Sequence, residues 1–568
     1  MISFEEFQSV NHENWEQAAA DLLKGKPLSK LNWKYEPDMP LEAYYDTGQI
    51  KKESHGLGGL LTANEYVNLE VLNLDSGTND RAMNALLNGA GGVLIENAQA
   101  FSGSQLLKSI LPQHCWFGIN TDRSGIPYVA EWFENQDADP STFSGFVGSS
   151  WLKKDGVDLS IEASNLFATT DVLLKFEGIR TIEIPLHLLQ QSGATIAMEL
   201  GVMLSALKWM IDRAIEHEIS IDSLSSRLLI STSVGTDFYH EISKLRAIRP
   251  LVYKVFKAYN AEVEIGDFTI LGRTSEASES SLDPDTNYLR KTTQAFSIAL
   301  GTADLMVVSP YEPFGYNEDV RRISRNIGNL IKDESYAHWV KDPLAGSYFV
   351  ETLTEKLSES GWEQFQKIEA EGGIETYINE GALTEELKLS QERILKEVSS
   401  CRKTVVGVNN YPNFLTSNGQ PKELKNSFHY AQDFEQLKGQ LQRSIDEEKF
   451  EHAPKFQPIP VGEQAAMITA RLNFATNFLG CGGFEILEKG SQNEDPADVA
   501  VICGADADYD NIEEAQVNSW KEQYDVLLIA GNPANSDTLR SWGVDEFVHI
   551  RSNVLETNKV ILKMLKAI

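Results

Sequence analysis

Between Asn64 and about Gly407, short apolar runs rich in β-branched and aromatic residues alternate with stretches of helical period. The strand-like runs are 67–74 (VNLEVLNL), 91–96 (GGVLIE), 115–120 (CWFGIN), 180–186 (RTIEIPL), 227–232 (RLLIST), 262–271, 304–309 (DLMVVS) and 347–351 (SYFVE). Helical periodicity fills most of the gaps, and the longest helix is expected over about 194–217. Only 121–179 shows no clear period.

Repeated strand–helix units imply a parallel sheet, because a parallel connection needs a crossover and a helix supplies it. At this length the natural closure is a (β/α)8 TIM barrel over 61–407. A stretch with Pro412, Asn413, Gly419, Pro421, Pro454, Pro458 and Pro460 follows, and 408–460 reads as a linker. A second α/β pattern then begins. A helix is expected over 462–480, strands at 484–487, 499–503, 525–530 and 546–550, and a last helix at 553–566. This pattern over 461–568 reads as a small flavodoxin-like domain, so the fold class is α/β in two parts.

The first sixty residues stand apart. Residues 12–24 can form a helix with Trp15, Ala19, Leu22 and Leu23 on one side, ended by Gly25 and Pro27. Trp33, Tyr35, Tyr44 and Tyr45 follow on little regular pattern. Such an arm either lies on another chain or straps across its own domain, and the sequence leaves both open.

Composition narrows the function. The chain has 568 residues, with 83 acidic against 50 basic and a net charge of −33. That charge repels phosphate backbones, so nucleic acid is not an expected partner. Cys115, Cys401, Cys481 and Cys503 are scattered and form no C-x-x-C pair, which argues against a zinc site or a disulfide framework. Unpaired thiols fit a reducing compartment, and the expected location is cytoplasmic. No apolar run is long enough to span a bilayer, and the acidic start MISFEEFQSV does not resemble a secretory signal.

The most specific signal is five ordered runs: DFYHEISKLRAIRPL (237–251), DPDTNYLRKTTQAFSIALGTAD (283–304), RRISRNIGNLIKDES (321–335), DPLAGSYFVETLTEKLSESGWEQFQKIEAEGG (342–373) and GVNNYPN (407–413). Read physically, Ile242, Leu245 and Ile248 form a helical stripe with Arg246 and Arg249 beside it, and Asp237 is placed to cap that helix. Ile327, Leu330 and Ile331 form a second stripe near Arg325. Pro343 and Gly346 shape a turn into the expected strand at 347–351. These are architectural roles.

In order and spacing the five runs resemble the methylmalonyl-CoA mutase family, strongly over about 237–413 and weakly elsewhere. The resemblance implies a barrel that holds the acyl-CoA, a small domain that holds adenosylcobalamin, and a radical rearrangement between methylmalonyl-CoA and succinyl-CoA. It further implies a cobalt-binding histidine in an Asp-x-His-x-x-Gly loop before the first helix of the small domain. Here that helix follows QPIPVGEQ, and no histidine lies between His452 and His549. Phe450 and Lys455 flank His452 where the motif needs Asp and Gly, and Phe547 and Ser552 flank His549. Met467 and Cys481 are expected in the core, and GCGG at 480–483 as a helix end.

The barrel departs from the family's catalytic pattern as well. NWKYEPDMPLEAYYDTG (32–48) stands where catalytic chains carry Tyr-Asp-Gly and a radical-gating Pro-Leu-Tyr. Tyr44 and Tyr45 are at most displaced counterparts. In PLHLLQQSGAT, Leu188 takes the register of the catalytic histidine and His187 is one residue off, which on a strand reverses the face. No catalytic, cofactor-binding or metal residue is therefore assigned. The resemblance points to the small (beta) subunit of a heterodimeric mutase, binding no cofactor itself and supporting a large catalytic subunit that carries adenosylcobalamin and that the arm 1–60 is then expected to wrap. The alternatives are an active acyl-CoA mutase with an atypical cobalamin site and a free-standing CoA-ester-binding protein.

Overall fold

The computed structural model describes residues 10–36, 39–48, 65–98, 107–155, 158–167, 169–312, 315–413, 428–487 and 497–568. The chain forms two compact units. The first comprises Met1–Ser275, Lys291–Pro310 and Tyr316–Leu387; the second comprises Glu276–Arg290, Tyr311–Gly315 and Lys388–Ile568.

Among the described residues the first unit carries a nine-stranded parallel sheet. In space its strands run Ile182–Pro185, Leu228–Val234, Thr269–Thr274, Leu305–Val307, Val67–Asn73, Gly92–Ala98, Trp116–Thr121, Ser144–Gly148 and Ile179–Arg180. The two edge strands are separated in sequence by Thr181 alone, so the sheet curls into a nearly closed, barrel-like form. Side chains alternate across it, as the pleat requires. Leu69, Leu94, Trp116, Phe146, Leu229, Leu271, Leu305 and Val307 form one buried cluster inside. Their sequence neighbours Val93, Ile95, Phe117 and Val147, and Leu228, Ile230, Ile270 and Met306, belong to clusters outside.

Space inside is shared between large and small residues. A Cβ on Gly118 would lie 2.6 Å from the Trp116 ring and on Gly148 2.3 Å from the Phe146 ring. Outside, the long helices Ile196–Glu216, Phe238–Ala258 and Tyr348–Ala370 pack on one another, and Ile196–Glu216 also touches strand Ile182–Pro185.

The structure corrects several expectations. Residues 347–351 are not a strand: Tyr348 opens the 23-residue helix Tyr348–Ala370, in which Val350, Leu353 and Leu357 are buried at helical spacing. A three-residue apolar run alone does not distinguish strand from helix. The missing strand is Ser144–Gly148, inside the stretch without a clear period, where two glycines in five residues hide the pattern. Asp237 holds the N-cap position of Phe238–Ala258 without a side-chain capping bond to the helix.

The region expected as a linker, 408–460, contains helix Gln432–Asp446 and strand Lys455–Pro460, and it falls within Lys388–Ile568, the longest segment of the second unit. That strand lies inside a five-stranded parallel sheet of order Glu485–Ile486, Lys455–Pro460, Val499–Cys503, Val526–Ala530, Glu546–Val548. Proline is tolerated because Glu485–Ile486 pairs only with Lys455 and Phe456. The half carrying Pro458 and Pro460 pairs only with Val499–Cys503, so one side of it asks for no N–H.

Of the N-terminal sixty residues, His12–Leu23 is a helix with no buried residue, closed by Lys24 at φ 50. Met39 and Leu41, by contrast, are buried in the main cluster of the first unit. Lys356 donates to the Pro40 carbonyl at 3.2 Å. Residues 39–41 thus lie on their own unit.

Candidate functional site

The carboxyl ends of the curled sheet are where a barrel-like fold presents chemistry, because loops of several strands converge there. Continuing the inward alternation past the apolar floor brings Glu96, Glu183, Ser231 and Arg273 to that end. His187, two residues past Pro185, joins them. Arg273 pairs with Glu96 at 2.6 Å. The Arg273 Nε–H donates to Ser231 Oγ at 3.2 Å, and Ser231 Oγ lies 2.9 Å from His187 Nδ1. Glu183 Oε1 lies 3.9 Å from the same nitrogen.

Burial sets the charges. Removal from water pushes Glu183 up to about 7; the Arg273 guanidinium pulls the other way and Glu96 adds to the rise. Burial, with Arg273 beside it, holds His187 well below its ordinary value, so the imidazole is neutral. Near neutral pH, Glu183 therefore changes protonation while His187 does not.

Face alternation does not govern His187, because the strand ends at Pro185 and His187 opens the short helix His187–Gln190. Leu188, in the register of the family's catalytic histidine, packs half-buried against the core. Tyr45 is buried, accepts the Glu42 N–H at 2.9 Å and lies 5.7 Å from the Phe349 ring. Tyr44 stacks on Trp15 at 5.4 Å. These contacts tie both tyrosines to the strap and the N-terminal helix. The Tyr35 side chain lies outside the described residues. The polar chain at the sheet end was not legible as a unit, since it draws on four strands and the first residue of a short helix, far apart in sequence.

In the second unit, the loop Val461–Gln464 follows the first strand and carries no imidazole. Gly462 sits there at φ +82, with its missing Cβ 2.2 Å from the Asp508 carboxyl carbon. Asp508 accepts the Ala505 N–H at 2.9 Å, and Arg471 on helix Ala465–Gly480 pairs with Asp506 at 2.7 Å. His452 precedes strand Lys455–Pro460 and lies at its amino end, with Nδ1 3.0 Å from the Ala453 carbonyl. His549 follows the fifth strand, where its Nδ1 accepts the Arg551 N–H at 3.1 Å. It stands three strand spacings from the first strand, about 14 Å.

Cys481 is buried as expected, and Gly483 ends the helix at φ +93. Met467 is a correction: it is 38% exposed, because helix Ala465–Gly480 buries only its last two turns. His429, which sequence reasoning passed over, is buried with Nε2 2.7 Å from Glu435. Among the described residues no group of three or more His, Cys, Asp or Glu is placed to hold a metal ion.

Residues 165–455 match the family model of methylmalonyl-CoA mutase. The chain belongs to this family. Among its relatives is the methylmalonyl-CoA mutase small subunit of Porphyromonas gingivalis, 26% identical over 74% of this chain and 72% of that protein. The probable small subunit of Mycobacterium tuberculosis H37Rv is 29% identical over 69% of this chain and 65% of that one. The large subunit of Streptomyces virginiae is 28% identical over 48% of this chain and 38% of that protein.

The family-like runs cross-brace the first unit. Arg246 pairs with Asp342 and, at 2.9 Å, with Glu351, joining the first run to the fourth. Arg249 holds both Asp304 oxygens at 2.7 Å, joining the first run to the second. Arg325 pairs with Glu70 on strand Val67–Asn73. Lys244 is buried between Glu199 at 3.1 Å and Glu241 at 2.8 Å. The mutase-like runs thus fasten helices to the wall and to one another. Buried arginines suit this, because a planar fork can satisfy two acceptors at once.

Proposed function

We propose that this chain is the small subunit of a heterodimeric, adenosylcobalamin-dependent methylmalonyl-CoA mutase, not itself a catalyst of the rearrangement, and that its partner is the large catalytic subunit. The observation that carries this is the loop Val461–Gln464. The ligand crevice of a doubly wound sheet lies outside the carboxyl ends of its strands. There the loop offers no imidazole, and Gly462 lies so close to the Asp508 carboxyl that even a Cβ would meet it. These residues do not fit a cobalt-bound histidine. His452 lies at the wrong end of its strand and His549 too far along the sheet.

The fold reading goes with this proposal. Ile179–Arg180 pairs with Ser144–Gly148, and Ile182–Pro185 pairs with Leu228–Val234. Thr181, the one residue between them, donates its N–H to the Arg227 carbonyl at 2.9 Å. Taken as one strand, 179–185 closes the sheet as a (β/α)8 barrel. The order of the second sheet, 2-1-3-4-5 in sequence, supports a flavodoxin-like domain. That its relatives include both small and large subunits of the mutase supports the pairing. A cytoplasmic location goes with this reading; no helix among the described residues is long and apolar enough to cross a membrane.

The test is to mix the purified chain with adenosylcobalamin, desalt it, record the visible spectrum, and assay it alone and with the large subunit. Colourless protein, and turnover only with the large subunit, are expected. A stoichiometric corrinoid spectrum or turnover by this chain alone would overturn the reading in favour of an active mutase with an atypical site.

A further inference from the structure

We infer that Lys244, Glu199 and Glu241 form a pH-sensitive joint on the outer side of the curled sheet, in which the three buried groups share one proton, and that the first turns of helices Ile196–Glu216 and Phe238–Ala258 loosen as that proton is given up. The joint works within this chain, whatever its partner does.

The charge count carries the inference. Lys244, Glu199 and Glu241 are 0%, 1% and 6% exposed. Lys244 Nζ has three hydrogens and meets three acceptor groups. It lies 3.1 Å from Glu199 Oε2 and 2.8 Å from Glu241 Oε2, and it donates to the Ser233 carbonyl at 2.6 Å. One ammonium balances one carboxylate, so with both acids ionised the cluster keeps a negative charge out of water, a costly arrangement. One added proton makes it neutral. Acids that interact this closely titrate together, and the proton belongs to the trio.

The strand supplies a hydroxyl that serves both states. Thr232 Oγ1 lies 3.1 Å from Glu199 Oε2 and 3.4 Å from the Ser233 carbonyl. It donates to Glu199 when that group is a carboxylate. When Glu199 is the acid, Thr232 accepts from it and turns its own hydrogen to the carbonyl. Glu199 and Glu241 each lie in the first turn of their helix. The trio thus fastens two helix starts to the end of strand Leu228–Val234.

The facing groups set the pH range. Burial pushes Glu199 up to about 7; Lys244 of Phe238–Ala258 pulls it down and Glu241 of the same helix pushes it up. Burial lowers Lys244, but Glu199 and Glu241 together hold it above its ordinary value, so it stays charged. Strand Leu228–Val234 brings Thr232 and Ser233, which do not titrate. Helix Tyr348–Ala370, packed on both helices, directs its Glu351 to Arg246 at 2.9 Å. Glu199 rises on folding, so its contribution is whole below about 4.5 and is lost as pH climbs through about 7.

The test compares the full-length chain with Glu199→Gln, which keeps the shape of the acid and cannot ionise, by amide hydrogen exchange at pH 5, 6, 7 and 8. Comparison at equal pH cancels the intrinsic exchange rate. Peptides covering 196–202 and 238–245 should exchange faster in wild type, by a ratio that grows from pH 5, levels off above pH 7 and reaches about tenfold or more. Peptides covering 499–503 in the second unit should match throughout. The infrared C=O band of a buried protonated carboxyl should shrink between pH 6 and 8 in wild type and in Glu183→Gln, and Glu199→Gln should lack that component. If Glu199→Gln fails to fold, Glu241→Gln serves the same comparison. Equal exchange at pH 8, an infrared change untouched by the substitution, or no loss of protonated carboxyl in wild type overturns the joint.

Discussion

At the carboxyl end of the first sheet, charged side chains reach inward over an apolar floor and leave two titratable groups, Glu183 and His187, displaced in their affinity for protons. At the same end of the second sheet, the corresponding space is taken up by the chain itself, with Gly462 against Asp508 and Arg471 tied to Asp506. Both ends belong to parallel α/β sheets, and in both the strands deliver their loops to one edge. The difference is that one end joins polar groups from four strands and a short helix into one buried chain, whereas the other pairs them locally. Fold alone therefore does not say where chemistry survives; the state of the polar groups does.

The largest way to sharpen this contrast is through the ion pairs that carry the first unit. Arg246 is 1% exposed and sits between Asp342 and Glu351, themselves 1% and 6% exposed. Arg246→Ala leaves two buried carboxylates without their cation. Breaking such a pair from one side costs about 3–5 kcal/mol. Denaturant unfolding followed by a probe in each unit should show the first unit's transition moved and the second's unchanged. An unmoved first transition would mean that the braces joining the family-like runs contribute little.

How far this was legible in the sequence depends on the range of the signal. Alternation of strand and helix reported local order well: seven of the strand-like runs expected in the first unit overlap strands of the curled sheet. It failed at Ser144–Gly148, whose glycines make room for the Phe117 backbone and the Phe146 ring, and at Lys455–Pro460, whose prolines read as linker. Both failures are local rules overridden by packing. The loss of the imidazole loop was legible because it is a contiguous motif. The Glu96–Arg273–Ser231–His187 chain was not, because only strand register brings those residues together. The partners of Arg246 and Arg249 were hidden for the same reason, although the helix stripe beside them was plain.

A second break acts on the other end of the comparison. Gly462→Ala meets two penalties at once: a φ of +82 and a Cβ 2.2 Å from the Asp508 carboxyl carbon. Left-handed backbone costs an alanine about 1–2 kcal/mol, and overpacking adds about 1–3 kcal/mol. Asp508→Ala in the same chain should recover the overpacking part and leave the backbone part. A single-variant loss that the double variant does not reduce would show that the carboxylate is not what fills the crevice.

The smallest effect tests the first end by pH. Glu183 rises from 4.5 to about 7 on folding, mainly through burial. A raised carboxyl favours the protonated folded state. Its contribution is whole below the unfolded value near 4.5 and is lost as pH climbs through about 7. Glu183→Gln keeps the shape of the protonated acid and cannot ionise. The variant should match wild type in Tm near pH 4.5 and exceed it at pH 8, by about 1–2 kcal/mol after allowing for partial relaxation of the site. Arg273 acts against this gain, because it loses a nearby carboxylate when Glu183 is replaced. A variant less stable than wild type at pH 8 would thus mean that attraction to Arg273 outweighs burial, and the unmatched acid at this sheet end would be an ordinary ion pair like those behind the wall.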